Sequence, residues 1–299
     1  MQIQKPSGSV VITLVLILFG CAVIGTVLLV ALAAIGGMPI STEMDIMGAV
    51  TDSNLKPFIK TGIGLNHLAI FSLSAVLFAI WSERSRWKSY FRFRPVAGEL
   101  IMKFLLLLIV AYPLIGLSAS LFEYIDLPEW ASGVDDASID SLMKLMAMDG
   151  VGDLVVNLII VALLPAIGEE LLFRGVIQNE LVKRLTNPHV AIIIASVIFS
   201  GFHLQIQGFL PKLIIGLILG YSYYWTRSLW YAMIIHFANN AFQTLILFAI
   251  GDDMAIMESS SERPEILHIL IGVIISCFLC YLLINHLRKI LVGTNLKTP

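Results

Sequence analysis

Charge is scarce in this 299-residue chain. Asp, Glu, Lys and Arg make up 13% of it, against about a quarter in a soluble domain, while hydrophobic residues reach 58% and the mean hydropathy is +0.89. That excludes an ordinary soluble globular protein. Cysteine is nearly absent: Cys21, Cys277 and Cys280 all fall in apolar runs, which excludes a disulfide framework and a zinc site in an accessible loop; Cys277 and Cys280 read as small packing residues. An excess of one charge sign is missing too, with 19 basic and 21 acidic residues. Long polar stretches are lacking, since the longest loop, Glu123–Asp153, is shorter than an independent domain.

Long apolar runs are what the chain has. A hydrocarbon core of about 30 Å takes about 20 helical residues to cross. Eight runs are read as spans: Val10–Ile35, Ile59–Trp81, Ile101–Phe122, Leu154–Arg174, His189–His203, Phe209–Trp225, Leu229–Ile250 and Ile266–His286. Gln205–Pro211 is read as a tight turn between the fifth and sixth. The expected fold is all-α, a polytopic helical bundle with three parts: 1–153 with the first three spans, a core over 154–250, and 251–299 with the last span and a tail.

Basic residues stay in cytoplasmic loops, and Arg84, Arg86, Lys88, Arg92 and Arg94, Lys183 and Arg184, Arg227, and Arg288, Lys289 and Lys297 follow the even-numbered spans. The other loops are acidic, so both termini are expected in the cytoplasm, and a bacterial inner membrane is the expected location. The first span is too long for a signal-peptide core and is read as an uncleaved anchor. Trp81, Trp87 and Trp225 lie among the basic residues, the pattern of membrane-interface anchors rather than a nucleic-acid patch. Ser138 precedes Ile139, Leu142, Met143, Leu145 and Met146 at helical spacing, which predicts a helix on the outer membrane surface or, alternatively, a lid.

Polar residues inside the apolar runs are expensive and point to function. They form three clusters: Glu169-Glu170 with Arg174, Phe199 with His203, and His236 with Asn240. Residues four apart share a helix face. Glu170 therefore lies over Arg174 and is read as a structural, ionised carboxylate, while Glu169 is rotated about 100° away. Pro165 and Gly168 precede Glu169 and loosen its helix. Glu169 can act as a general base on water, His203 can orient that water, and His236 with Asn240 can donate hydrogen bonds to an oxyanion. These are the parts of an amide hydrolase that needs no covalent nucleophile. His67, beside Asn66, stands outside this pattern and is read as an interhelical hydrogen-bonding residue.

The three clusters together resemble the CAAX prenyl protease and bacteriocin-processing family, also called CPBP or Abi. Its pattern is Glu-Glu-x-x-x-Arg, then Phe-x-x-x-His, then His-x-x-x-Asn or Asp, and Glu169–Arg174, Phe199–His203 and His236–Asn240 match it in order, with Gly175 after Arg174. The resemblance covers roughly Leu154–Phe248. It implies an intramembrane endopeptidase in which Glu169 activates water, His203 assists, His236 and Asn240 form the oxyanion site, and Glu170, Arg174 and Phe199 support them. It implies a membrane-associated peptide substrate, prenylated or carrying a leader, or a role in bacteriocin immunity. Metal-free glutamate chemistry is the favoured reading; zinc on Glu169, His203 and His236 is the alternative, although no His-Glu-x-x-His is present.

Two other classes fit parts of the pattern. Proton- or ion-coupled transporters also bury Glu and His in Pro-broken helices, and a catalytically silent scaffold would make no use of the clusters. Gly150-Val151-Gly152-Asp153 matches the Gly-x-Gly-Asp of intramembrane aspartyl proteases, but no second Asp lies within an apolar run.

Overall fold

The computed structural model describes residues 7–38, 54–121, 142–260 and 266–293. Among them every regular element is a helix. In chain order these are α1 (Ser7–Ile35), α2 (Lys56–Tyr90), α3 (Gly98–Ser120), α4 (Val151–Arg184), α5 (Pro188–Gly201), α6 (Phe209–Thr226), α7 (Leu229–Ser260) and α8 (Ile266–Gly293).

Six of these, α1, α2, α3, α4, α7 and α8, are long and apolar enough to cross a membrane. The protein is an integral multi-pass membrane protein. The fifth and sixth expected spans do form helices, but they differ from the other six. α5 has 14 residues, about 21 Å of rise, and falls short of a full crossing. α6 has 18 residues, yet Lys212 and the Tyr221, Tyr223, Tyr224 cluster dilute its apolar character. The turn between them falls before Phe209 rather than at Pro211, because proline is tolerated in a first helical turn, where its missing N–H costs nothing.

The core is built around α4. Buried Leu172, Phe173 and Val176 of α4 pack with Phe104 and Leu108 of α3, Leu219 and Tyr223 of α6 and Ile235 of α7. α8 is peripheral: Cys277, expected to pack, is exposed on its outer face, as are Ile274 and Phe278. Helices α4 and α6 meet through a polar ladder. Arg174 donates to the carbonyl of Gly216 at 3.0 Å, and Gln178, one turn on, donates to that of Gly220 at 3.0 Å. Gly220 permits this approach, since a Cβ there would stand 3.0 Å from Gln178 Oε1, and both glycines let α5 pack close as well, a Cβ on Gly220 standing 2.8 Å from Ile192 and one on Gly216 3.1 Å from Ser196.

A second polar set ties down the segment before α4. Residues 142–146 form a short helical turn, while Ser138 and Ile139 lie outside the described residues. The buried Lys60 ammonium donates to Asn157 Oδ1 at 2.7 Å, and Asn157 Nδ2 donates to the Met146 carbonyl at 2.9 Å. Lys56 pairs with Asp153 at 3.1 Å and Asp149 at 3.3 Å. Asp153, the residue of the Gly-x-Gly-Asp match, is thus an ion-pair partner of Lys56. Lys60→Met should lower the thermal midpoint by the equivalent of about 1–3 kcal/mol, because Asn157 Oδ1 is left buried without a donor. An unchanged midpoint for the purified variant would remove Lys60 from this role.

Candidate active site

The three polar clusters converge on one cavity of about 510 Å³. Glu169, Phe199, His203, His236 and Asn240 all line it, as do Tyr112 of α3 and Met146 of the segment before α4. Glu170 and Arg174 stand behind this wall.

The two carboxylates part as the helical pitch requires. Glu170 is fully buried. Its Oε1 accepts from Arg174 Nη1 at 2.7 Å and from His236 Nδ1 at 2.8 Å. The Arg174 guanidinium also lies 4.5 Å from the centre of the Phe199 ring. One guanidinium thereby joins α4, α5, α6 and, through Glu170, α7. Charge-assisted bonds of this kind are the strong ones in a dry interior.

Glu169 turns the other way. Its Oε1 lies 3.2 Å from His67 Nε2, and its Oε2 lies 3.9 Å from His236 Nε2. Among the described residues Oε2 has no hydrogen-bond partner, although it is buried at the cavity wall. Such an oxygen is an open acceptor. Gly168 also has a second role beyond loosening the helix: a Cβ there would stand 3.0 Å from Phe71 and 3.1 Å from His67, so its absence lets α2 close onto α4 beside Glu169.

The imidazoles are oriented through their Nδ1 atoms. His236 Nδ1 is held by Glu170, and His203 Nδ1 lies 3.0 Å from the Phe199 carbonyl. Their Nε2 atoms are left for other partners. Phe199 stands between the rings, edge-on to His203 at 5.2 Å and to His236 at 5.9 Å. Asn240 Nδ2 donates to the Val161 carbonyl at 3.3 Å. That carbonyl lies four residues before Pro165, which brings no N–H to it. Asn240 Oδ1 accepts from Asn239 at 3.0 Å, and Asn239 Oδ1 accepts from Tyr112 at 3.1 Å.

Two lining residues, Tyr112 and Asn239, were not singled out in the sequence. Tyr112 and Asn239 share a hydrogen bond across α3 and α7. His67, read only as an interhelical bond, makes that bond to Glu169 itself, from 102 residues away in the chain. The signal was present, a histidine in an apolar run, but nothing local connects it to Glu169. Leu142 and Met146 also line the cavity, so the amphipathic segment covers the site rather than lying free on the membrane surface.

Residues 151–242 match the family described as type II CAAX prenyl endopeptidase Rce1-like. This stretch is similar to that family. No curated protein and no solved structure matches the chain. The matched stretch runs from the first residue of α4 to nearly the middle of α7, so it contains Glu169, Glu170, Arg174, Phe199, His203, His236 and Asn240. His67 and Tyr112 lie outside it and reach the site from α2 and α3.

Among the described residues no three His, Cys, Asp or Glu side chains are grouped to hold a metal ion, and Glu169, His203 and His236 do not form such a set.

Proposed function

We propose that the protein is an intramembrane endopeptidase that hydrolyses a peptide bond with water activated by Glu169. The observation that supports this reading best is the open Oε2 of Glu169 at the wall of a cavity shared with His203, His236 and Asn240. A water donating a hydrogen bond to that oxygen sits where Glu169 can remove its proton as the water oxygen attacks the substrate carbonyl carbon. The proton then passes from Glu169 to the departing amine, so the carboxylate is regenerated and the bond cleaved.

Each neighbour has a distinct task. His67, bound to Oε1, fixes the carboxylate and leaves Oε2 as its unpaired oxygen. His203 holds the water from the opposite side. His236 and Asn240 supply hydrogen-bond donors to the oxygen that gains charge as the carbonyl becomes tetrahedral. With Nδ1 bound to Glu170, Nε2 is the ring atom of His236 left for the oxyanion, and it donates there when the ring carries both protons. The second N–H of the Asn240 amide remains for the oxyanion, since the first goes to Val161. The apolar side of the cavity, with Ile115, Ile215 and Met146, suits an apolar or lipid-modified segment of substrate. The substrate class we assign is therefore a membrane-associated peptide, of the prenylated kind named in the description of the matched family. A bacterial inner membrane, with both termini in the cytoplasm, is the location we assign from the distribution of basic residues.

Comparison of peptide termini from membranes of cells carrying the intact protein and cells carrying Glu169→Gln at equal abundance tests the reading. Termini that disappear only in the variant are expected, and they would identify the substrate. Identical termini in both would overturn it. Cleavage of that substrate by purified protein should persist in a zinc chelator; loss of cleavage, restored by added zinc, would replace the metal-free mechanism.

A further inference from the structure

A separate polar cavity of about 270 Å³ opens where α2 and α4 end, away from the catalytic cavity. Its walls carry three cations, Arg86, Arg92 and Lys183, against one carboxylate, Glu83. Ser89, Tyr90 and Asn179 add hydroxyl and amide groups. None of these residues takes part in the chemistry above.

The cations are not equally engaged. Arg86 lies 3.8 Å from Glu83 at an exposed position, and Lys183 donates to Glu180 at 2.7 Å. Glu180 is also held by Tyr90 at 2.7 Å and by Arg184. Arg92 has no carboxylate partner among the described residues. Asn179 of the cavity wall is itself fixed by Tyr223, its Nδ2 donating to the Tyr223 hydroxyl at 2.8 Å.

The backbone around Arg92 is held in place. Its carbonyl accepts from Leu229 N at 3.3 Å, the Arg94 carbonyl accepts from Ser228 Oγ at 2.7 Å, and Ala97 N donates to Tyr231 at 2.8 Å. Arg92 has φ +52°, and Arg84 and Arg227 have φ +50° and +54°. That region suits glycine, and a long side chain there is strained. Three arginines therefore occupy backbone positions that favour a residue without a side chain, all at one end of the bundle. Trp81 and Trp87 at the same end mark the headgroup layer of the membrane.

We propose that this cavity binds a phosphate group, that of an anionic phospholipid headgroup in the membrane surface, with Arg92 as its main ligand and Arg86 and Lys183 beside it. A guanidinium without a carboxylate partner offers a forked donor pair that matches phosphate oxygens. Basic pockets between helix ends at the membrane surface are the sites that take such headgroups. Occupancy would join α2 to α4 and stabilise the fold.

The test uses the full-length protein in a neutral detergent, with its thermal midpoint followed on addition of short-chain phosphatidylglycerol, short-chain phosphatidylcholine or inorganic phosphate. A rise with phosphatidylglycerol and not with phosphatidylcholine is expected. If inorganic phosphate raises the midpoint as well, the site takes the free anion; if it does not, the ligand is the lipid. Absence of any rise specific to phosphatidylglycerol overturns the proposal. Arg92→Gly relieves the positive φ while removing the guanidinium, so it should fold at least as well and need at least about tenfold more phosphatidylglycerol for the same response. An unchanged response in Arg92→Gly also overturns the proposal. Should that variant not fold, Arg86→Gln, at an exposed position, should weaken the response in the same direction, and an unchanged response there counts equally against it.

Discussion

Glu169→Gln should cut the rate of peptide cleavage by about a thousandfold or more while the protein folds and purifies normally. General-base catalysis contributes roughly 10²–10⁴ to a rate, and a thousandfold loss corresponds to about 4 kcal/mol of transition-state stabilisation. Glutamine keeps the shape of the side chain and can still accept from His67 Nε2 through its carbonyl oxygen. What it loses is the ability to take the proton of water. The loss should therefore appear in kcat, with little change in KM. His203→Ala should also abolish cleavage, because the water loses its second holding point. His67→Ala should give an intermediate loss of about tenfold, since Glu169 remains but is free to turn away from the cavity. Cleavage by Glu169→Gln at the parent rate would end the proposed mechanism.

Arg174→Met should give the largest loss of stability from a single change in the core. Arg174 and Glu170 are buried at 1% and 0% exposure, with their ion pair at 2.7 Å. Removing one member of a buried pair leaves the other charged and without its counter-ion, at a cost of about 3–5 kcal/mol. Here the carbonyl of Gly216 also loses its donor, and His236 loses the anchored acceptor that sets its ring. Poor recovery of folded protein and a strongly lowered thermal midpoint are expected. The double variant Glu170→Gln with Arg174→Met should recover much of the midpoint, because no isolated charge remains, but not the activity, because His236 is no longer held by a carboxylate. If Arg174→Met is as stable as the parent, the pair has no structural role.

Helix existence was legible in the sequence wherever an apolar run was long, and the opposition of Glu169 and Glu170 was legible from the pitch alone. Both are local properties. The four-residue spacings within the clusters, Glu170 to Arg174, Phe199 to His203 and His236 to Asn240, place their members on shared faces in any α-helix. Span count was less legible for α5 and α6, since apolar composition marks a buried helix as readily as a crossing one. A length of 14 residues then separates α5 from the full spans.

Contacts between distant helices belong to the tertiary structure. That His67 meets Glu169, that Arg174 reaches the Gly216 carbonyl, and that Lys60 holds Asn157 beneath Met146 depend on how closely the helices approach and at what rotation. Those quantities are set by small residues such as Gly168, Gly216 and Gly220, whose effect exists only once a partner helix faces them. The amino-acid sequence by itself determined a helical membrane protein with three polar clusters in order, because hydrophobicity and helical period act along the chain. Only the packed bundle decided that a histidine from α2 completes the site and that the segment before α4 covers it, because side chains far apart in sequence interact only where the fold brings them within hydrogen-bond reach.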